Sequence, residues 1–262
     1  MKDMCRDLTD EYETLDAIVS PLREEQWNLI TPFISWSIKT EIAHIAYFDG
    51  TARLAATDAM AFSRHVEEVF RSEEAYLESQ KEIRAWPPNR VLDYWRQERK
   101  ALVEALELLG PKDRLPWYGP TMSARSFATA RIMETWAHGQ DIVDTLGIER
   151  APTDRLRHIA HLGVTTFVWS HANRGLEVPD VPFRVELVSP VGEPWAWGPE
   201  DAAESVCGST EDFCLVVVQR RHVDDTDLKV EGDLVRNWML IAQAFAGPPA
   251  QGPKPGERGD KK

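Results

Sequence analysis

The hydrophobic pattern changes period once along these 262 residues, and that change bounds what the chain can fold into. Upstream, apolar side chains recur every three to four positions, the spacing of helices with one buried face. From Val181 they gather instead into short β-branched runs separated by Pro and Gly, the pattern of strands. The spacing predicts helices over 6–20 (Leu8, Tyr12, Leu15, Ile18), 37–57 from Ser37, about 58–83, 89–109 behind Pro87-Pro88, 125–146 ending at Gly147, and 153–173. Beyond Val181, FRVELVSP, PWAWGP and the run Phe213–Val218 read as strands, and 233–246 as a closing helix carrying Leu234, Trp238, Ile241 and Phe245.

The expected fold is therefore mixed, α plus α/β, in two domains. Residues 1–178 form an antiparallel helical bundle and residues 179–247 a small α+β domain. Residues 248–262, rich in Pro, Gly and charge, are expected to be disordered.

Charge narrows the function. The chain carries 43 acidic against 30 basic residues, a net charge of −13, with no dominant basic patch, which disfavours nucleic acid as a partner. No apolar run approaches the ~18 residues of a membrane span, and the acidic start has no signal-peptide core. Three cysteines (Cys5, Cys207, Cys214) without a Cys-x-x-Cys read as reduced thiols of a cytoplasmic protein, Cys207 and Cys214 as buried and inert in or beside strands. The expected partner is a small molecule, acted on by a monomer or homodimer.

The chemistry concentrates in Glu134-Thr-Trp-Ala-His138-Gly-Gln-Asp141. On a helix, Glu134, His138 and Asp141 share one face, and a carboxylate and an imidazole one turn apart reach one divalent cation. With 43 acids and 7 histidines, about one such pair arises by accident, and Asp154/His158, with His161 a turn further on, is a second. Among the other histidines, His44 is either a packed core residue or a ligand, His65 beside Glu67 and Glu68 reads as surface, and His222 is ambiguous.

The blocks Trp36-Ser-x-Lys-Thr-Glu-Ile-Ala-His44-Ile-Ala and Met133-Glu134-x-Trp136-Ala-His138-Gly-Gln-Asp141 resemble the mycothiol-dependent maleylpyruvate isomerase family, within the DinB-like metal-binding four-helix proteins. The segment from Val206 to Trp238 resembles the small domain that accompanies that bundle. The resemblance implies a metal site of His44, Glu134 and His138. Two His and one Glu suit zinc with one coordination position open, and iron, nickel or manganese also accept them. It further implies mycothiol as a thiol cofactor, and an isomerase or thiol transferase acting on an anionic or electrophilic substrate. Asp141, Arg220 and Arg221 are the candidate catalytic side chains, Asp141 as an orienting carboxylate and the arginines as anion receptors. Trp136 and Arg125 are the candidate cofactor contacts. Two alternatives stand beside this one: a thiol-free metal enzyme on the same scaffold, and a non-catalytic metal-binding protein in which His161 would be the side chain to check as a fourth ligand.

Overall fold

A computed structural model describes residues 1–258 of the chain. They form two compact units, Met1–Ile148 and the residues from Glu149 on.

The first unit contains α1 (Lys2–Val19), a short 3-10 helix (Glu24–Asn28), α2 (Ile38–Thr57), α3 (Ala59–Val69), α4 (Glu73–Ala85) and α5 (Pro88–Glu107). A two-residue antiparallel hairpin, β1 (Arg114–Leu115) with β2 (Met122–Ser123), then leads into α6 (Ala124–Leu146). Local chemistry sets the helix starts. Ser37, Asp58, Ser72 and Ser123 each accept a hydrogen bond from the backbone N–H three residues on, satisfying a donor that a helix start leaves free. Pro88 opens α5, where its missing N–H costs nothing. Gly147 closes α6 in the left-handed region at φ 62°.

Helices α1, α2, α5 and α6 pack as a bundle, with α3 and α4 against α2. Cross-helix bonds give the directions. Glu41 meets His138 and Asp49 meets Arg131, so α2 and α6 run antiparallel. Asp16 meets Arg96 and Tyr12 meets Arg99, so α1 and α5 do too. Asp49 meets Trp95 and Arg53 meets Glu98, so α2 and α5 run parallel, and α3 and α4 supply the long connection that a parallel pair needs.

A buried polar cluster fixes the register of the bundle. The fully buried Asp49 accepts hydrogen bonds from Tyr12 Oη (2.7 Å), Trp95 Nε1 (3.0 Å) and Arg131 Nε (2.8 Å), joining α1, α2, α5 and α6 at one point. A buried carboxylate is tolerated only when so surrounded, and removing one member of such an ion pair costs about 3–5 kcal/mol.

The second unit contains α7 (Leu156–Thr165), α8 (Phe167–Ala172), β3 (Phe183–Val188), β4 (Pro194–Trp197), β5 (Glu204–Ser209), α9 (Thr210–Val217), a 3-10 turn (Val223–Asp225), β6 (Lys229–Glu231) and α10 (Asp233–Ile241). Its sheet has the order β4-β3-β5-β6, parallel between β3 and β5 and antiparallel elsewhere. Val185, Leu187, Val206, Phe213 and Trp238 fill its core.

Several elements differ from the sequence expectation. The chain divides after Ile148, not after residue 178, because α7 and α8 share the core of the sheet. Gly163 of α7 sits so close to α9 that a Cβ there would lie 2.8 Å from Val217, and the Phe167 ring packs 4.7 Å from Phe183 and edge-on to Trp238 at 5.3 Å. The stretch 58–83 is two helices, restarted by the Ser72 cap. The stretch 153–173 is also two, with Thr166 between them. The run Phe213–Val218 is not a strand but most of α9. Ser209 accepts from Asp212 N–H at 3.0 Å, Glu211 and Asp212 sit in the first turn, and this capping overrides the strand propensity of the valines. The closing helix ends at Ile241 rather than 246. Residues 248–258 of the expected disordered tail are tied to the second unit. Ala250 O accepts from Gln219 Nε2 and Arg174 Nη2, and Asp225 accepts from Gly256 N–H. Residues 259–262 of that tail lie outside the described residues. Among the described residues no helix is long and apolar enough to cross a membrane.

Candidate metal centre

The antiparallel pairing of α2 and α6 brings His44 to Glu134 and His138. Each offers one ligand atom, and the three atoms lie within 4.8 Å of one another. Glu134 and His138 are one turn apart on α6, with Glu134 Oε2 3.3 Å from His138 Nε2. The His44 ring stands 4.7 Å from the His138 ring, centroid to centroid. Nδ1 of His44 is buried and has no hydrogen-bond partner. An orphaned buried nitrogen carries a desolvation cost that a ligand would relieve. The Glu134 side chain is 24% exposed against 4% for that of His138.

Electrostatics keep protons off two of these groups. Burial holds His44 well below its ordinary range, helped by the positive charges of His138, Arg131 and Arg84 and opposed by Glu134. Its imidazole is therefore neutral near pH 7, with a free lone pair. Burial pushes the Glu134 carboxyl up, but the His138 hydrogen bond and the charges of His138 and Arg131 prevail and lower it to about 2.

Glu41 completes the arrangement. It is fully buried on α2, its Oε2 2.7 Å from His138 Nδ1 and its Oε1 accepting Thr31 Oγ1 at 2.5 Å. A carboxylate on one imidazole nitrogen fixes the ring and turns the other nitrogen toward a metal. The sequence expectation gave this orienting role to Asp141. Asp141 is also fully buried, with an oxygen within 4.8 Å of the ligand atoms of Glu41 and His138. Glu41 went unnoticed as a site residue, although its position three before His44 on the same helix face was a usable signal.

A turn between the 3-10 helix and α2 walls the site. Thr31 N–H donates to Trp36 O at 2.7 Å, and Ile34 and Ser35 take left-handed φ of 40° and 58°. This lays Trp36 parallel to His138 (6.1 Å, 11°) and 5.0 Å from His44, with Phe33 edge-on to His138 at 5.3 Å. Phe48 covers His44 at 4.7 Å.

The remaining predicted residues are placed elsewhere. Trp136 is buried, at 5% exposure. Arg125 is exposed at the start of α6, nine residues before Glu134, or about 13 Å along the axis, too far to join the cluster. Arg220 and Arg221 belong to the second unit. They follow a helix rather than a strand; Arg220 is buried and donates to Val218 O at 2.8 Å, and Arg221 donates to Arg220 O at 2.8 Å. Asp154, His158 and His161 are also in the second unit, where His161 Nδ1 accepts from Trp197 Nε1 at 3.2 Å. His222 caps the 3-10 turn by accepting from Asp224 N–H at 3.1 Å. His65, read as a surface residue, is half-buried, with Nε2 2.9 Å from Tyr118 Oη and 3.2 Å from Tyr47 Oη. The sulfur of Cys214 is buried in α9, where burial pushes its thiol up, and Cys207 is half-buried in β5.

Comparison with known proteins decides the family. A model described as the mycothiol maleylpyruvate isomerase N-terminal domain matches residues 8–143, which include His44, Glu134 and His138. The chain belongs to the mycothiol maleylpyruvate isomerase family. A second model, for wyosine base formation, matches residues 179–229. Two uncharacterized proteins of Mycobacterium tuberculosis, one from strain CDC 1551 / Oshkosh and one from strain ATCC 25618 / H37Rv, are each 43% identical over 247 residues, covering 94% of this chain and 96% of theirs. Among solved structures, a mycothiol-dependent maleylpyruvate isomerase and one of its point mutants share the fold at TM-score 0.56 and 16% identity, covering 82% of this chain and 87% of theirs. The family's bundle is thus the part of the chain that carries the His/Glu cluster.

Proposed function

We propose that this chain is a metal-dependent enzyme in which His44, Glu134 and His138 hold one divalent cation, zinc foremost, and that it activates a small thiol, mycothiol, for isomerisation of an electrophilic substrate or for S-transfer. The observation that carries this is the buried, partnerless Nδ1 of His44 beside a Glu/His pair. Two imidazoles and one carboxylate form the three-ligand set of sites that keep a position open for a reactant. A cation held there supplies Lewis acidity, enough to favour a thiolate over a thiol or to polarise a carbonyl.

The protein's own residues do the rest. Thr31 and Glu41 hold the His138 ring in one orientation. Asp49 and Arg131 lie five residues after His44 and three before Glu134, and their 2.8 Å bond sets the register that brings the ligands together. Trp36, Phe33 and Phe48 exclude water around the two imidazoles. The likeness of the bundle to mycothiol-dependent maleylpyruvate isomerase supports the thiol. Three free cysteines support a reducing, cytoplasmic setting.

Metal analysis of the purified protein, paired with a mycothiol titration, tests the proposal. One equivalent of divalent metal is expected, lost in His44→Ala and in Glu134→Ala. Full occupancy in both variants removes the site. Metal without detectable thiol binding leaves a metal enzyme of the same scaffold that works without a thiol.

A further inference from the structure

Apart from Arg84, the buried or half-buried arginines of the bundle pair with a carboxylate. Arg131 has Asp49, Arg99 has Asp16 and Arg53 has Glu98. Arg84 on α4 is an exception. Its Nη2 donates to a neutral amide oxygen, Gln80 Oε1, at 3.0 Å, and no carboxylate among the described residues forms an ion pair with it. Its Nε is buried with no partner. Gln80, 1% exposed, likewise has an unpartnered Nε2. In a chain of net charge −13, a half-buried guanidinium left without an acid is a departure that needs a reason.

Its position supplies one. The guanidinium lies 5.0 Å over the Trp36 ring, and the same ring lies 5.0 Å from His44 and parallel to His138. Stacking on Trp36 and the bond to Gln80 hold the planar fork while its Nε–H is unused, the state of an arginine waiting for an anion.

We propose that Arg84 is an anion-recognition residue of this centre, the group that receives a carboxylate of the substrate. Gln80 and Trp36 act as positioning residues for the guanidinium, and Gln80 Nε2 is a second donor in reserve. The inference rests on the metal-site reading above and adds to it the residue that reads the charge of the substrate.

The test uses the metal-loaded full chain and three probes followed by calorimetry: succinate, its neutral analogue succinamide, and imidazole, which reports an open metal position without needing a cationic partner. Succinate is expected to bind the wild type more tightly than succinamide. Arg84→Met should weaken succinate binding roughly 10- to 100-fold, the size of one lost charge-assisted interaction, and Arg84→Lys should recover part of it. Imidazole affinity and metal content should be unchanged in both variants, which also shows that the centre has stayed folded. Equal succinate affinity in wild type and Arg84→Met, or equal affinity of the wild type for succinate and succinamide, overturns the role of Arg84 while leaving the metal site standing. A wild type with neither metal nor imidazole binding overturns the metal site, and the substrate assignment falls with it.

Discussion

Helices α2 and α6 build two polar clusters barely a turn apart, and the clusters are opposites. Around Asp49 every strong group is answered: three donors from three helices converge on one carboxylate. Around His44 the accounts stay open, with a buried imidazole nitrogen facing no partner and two proton-poor groups side by side. The first is how a bundle buries a charge to fix its register; the second leaves donor groups unanswered by protein, as the proposed cation site requires. Polar residues in a helical core therefore separate by satisfaction rather than by burial, since Asp49 is more buried than either His44 or Glu134.

Substitutions sharpen the contrast. Asp49→Ala strands Arg131 in the core and should lower stability by about 3–5 kcal/mol in urea denaturation, whereas His44→Ala should cost little stability yet abolish metal binding. Similar losses in both would erase the distinction.

Next in size is Glu41→Gln. The shape is kept but the anion on His138 Nδ1 is lost, so metal affinity should fall about 10- to 100-fold in a competition assay with a chromogenic chelator, with unchanged circular dichroism.

A smaller effect is in pH. Because the folded state holds His44 below its ordinary 6.5, the unfolded chain takes up a proton that the folded metal-free chain refuses. Metal-free protein should therefore lose stability as pH falls below about 6.5. His44→Phe should remove that part of the slope and leave stability near pH 8 little changed. A variant with the wild-type slope would assign the effect to other groups.

The smallest effect is in the turn. Ile34, 68% exposed, occupies a left-handed conformation at φ 40° that β-branched residues resist. Ile34→Gly should raise stability by about 1 kcal/mol at most, after the entropy of glycine is counted. Destabilisation would mean that Ile34 makes contacts worth more than its strain.

The sequence exposed the three candidate ligands because their signals are local. Glu134 and His138 share a helix face by spacing, and His44 lies nearly two turns into a helix whose Ser37 cap is recognisable. It hid Glu41 and Arg84 because their meaning is relational. One matters through a bond to a residue 97 positions away, the other through a stacked tryptophan and the absence of an acid. Periodicity likewise found the helices but not their allegiance. Nothing in the amphipathic pattern of α7 says that its apolar face meets α9, and the valines of α9 look like a strand until the Ser209 cap is weighed against them.

The turn from Thr31 to Trp36 has a consequence for how this protein can diverge. One end holds the carboxylate that steadies a candidate metal ligand, and the other carries the ring that lies 5.0 Å from His44 and 5.0 Å from the Arg84 guanidinium. A single 2.7 Å backbone bond closes the two ends on each other. On the proposed function, an insertion in this segment would retune the pull on the metal and redraw the shape offered to the substrate in the same stroke. Relatives with a turn of different length are therefore expected to differ in both together, and a change of substrate made through this loop brings a change of metal chemistry with it.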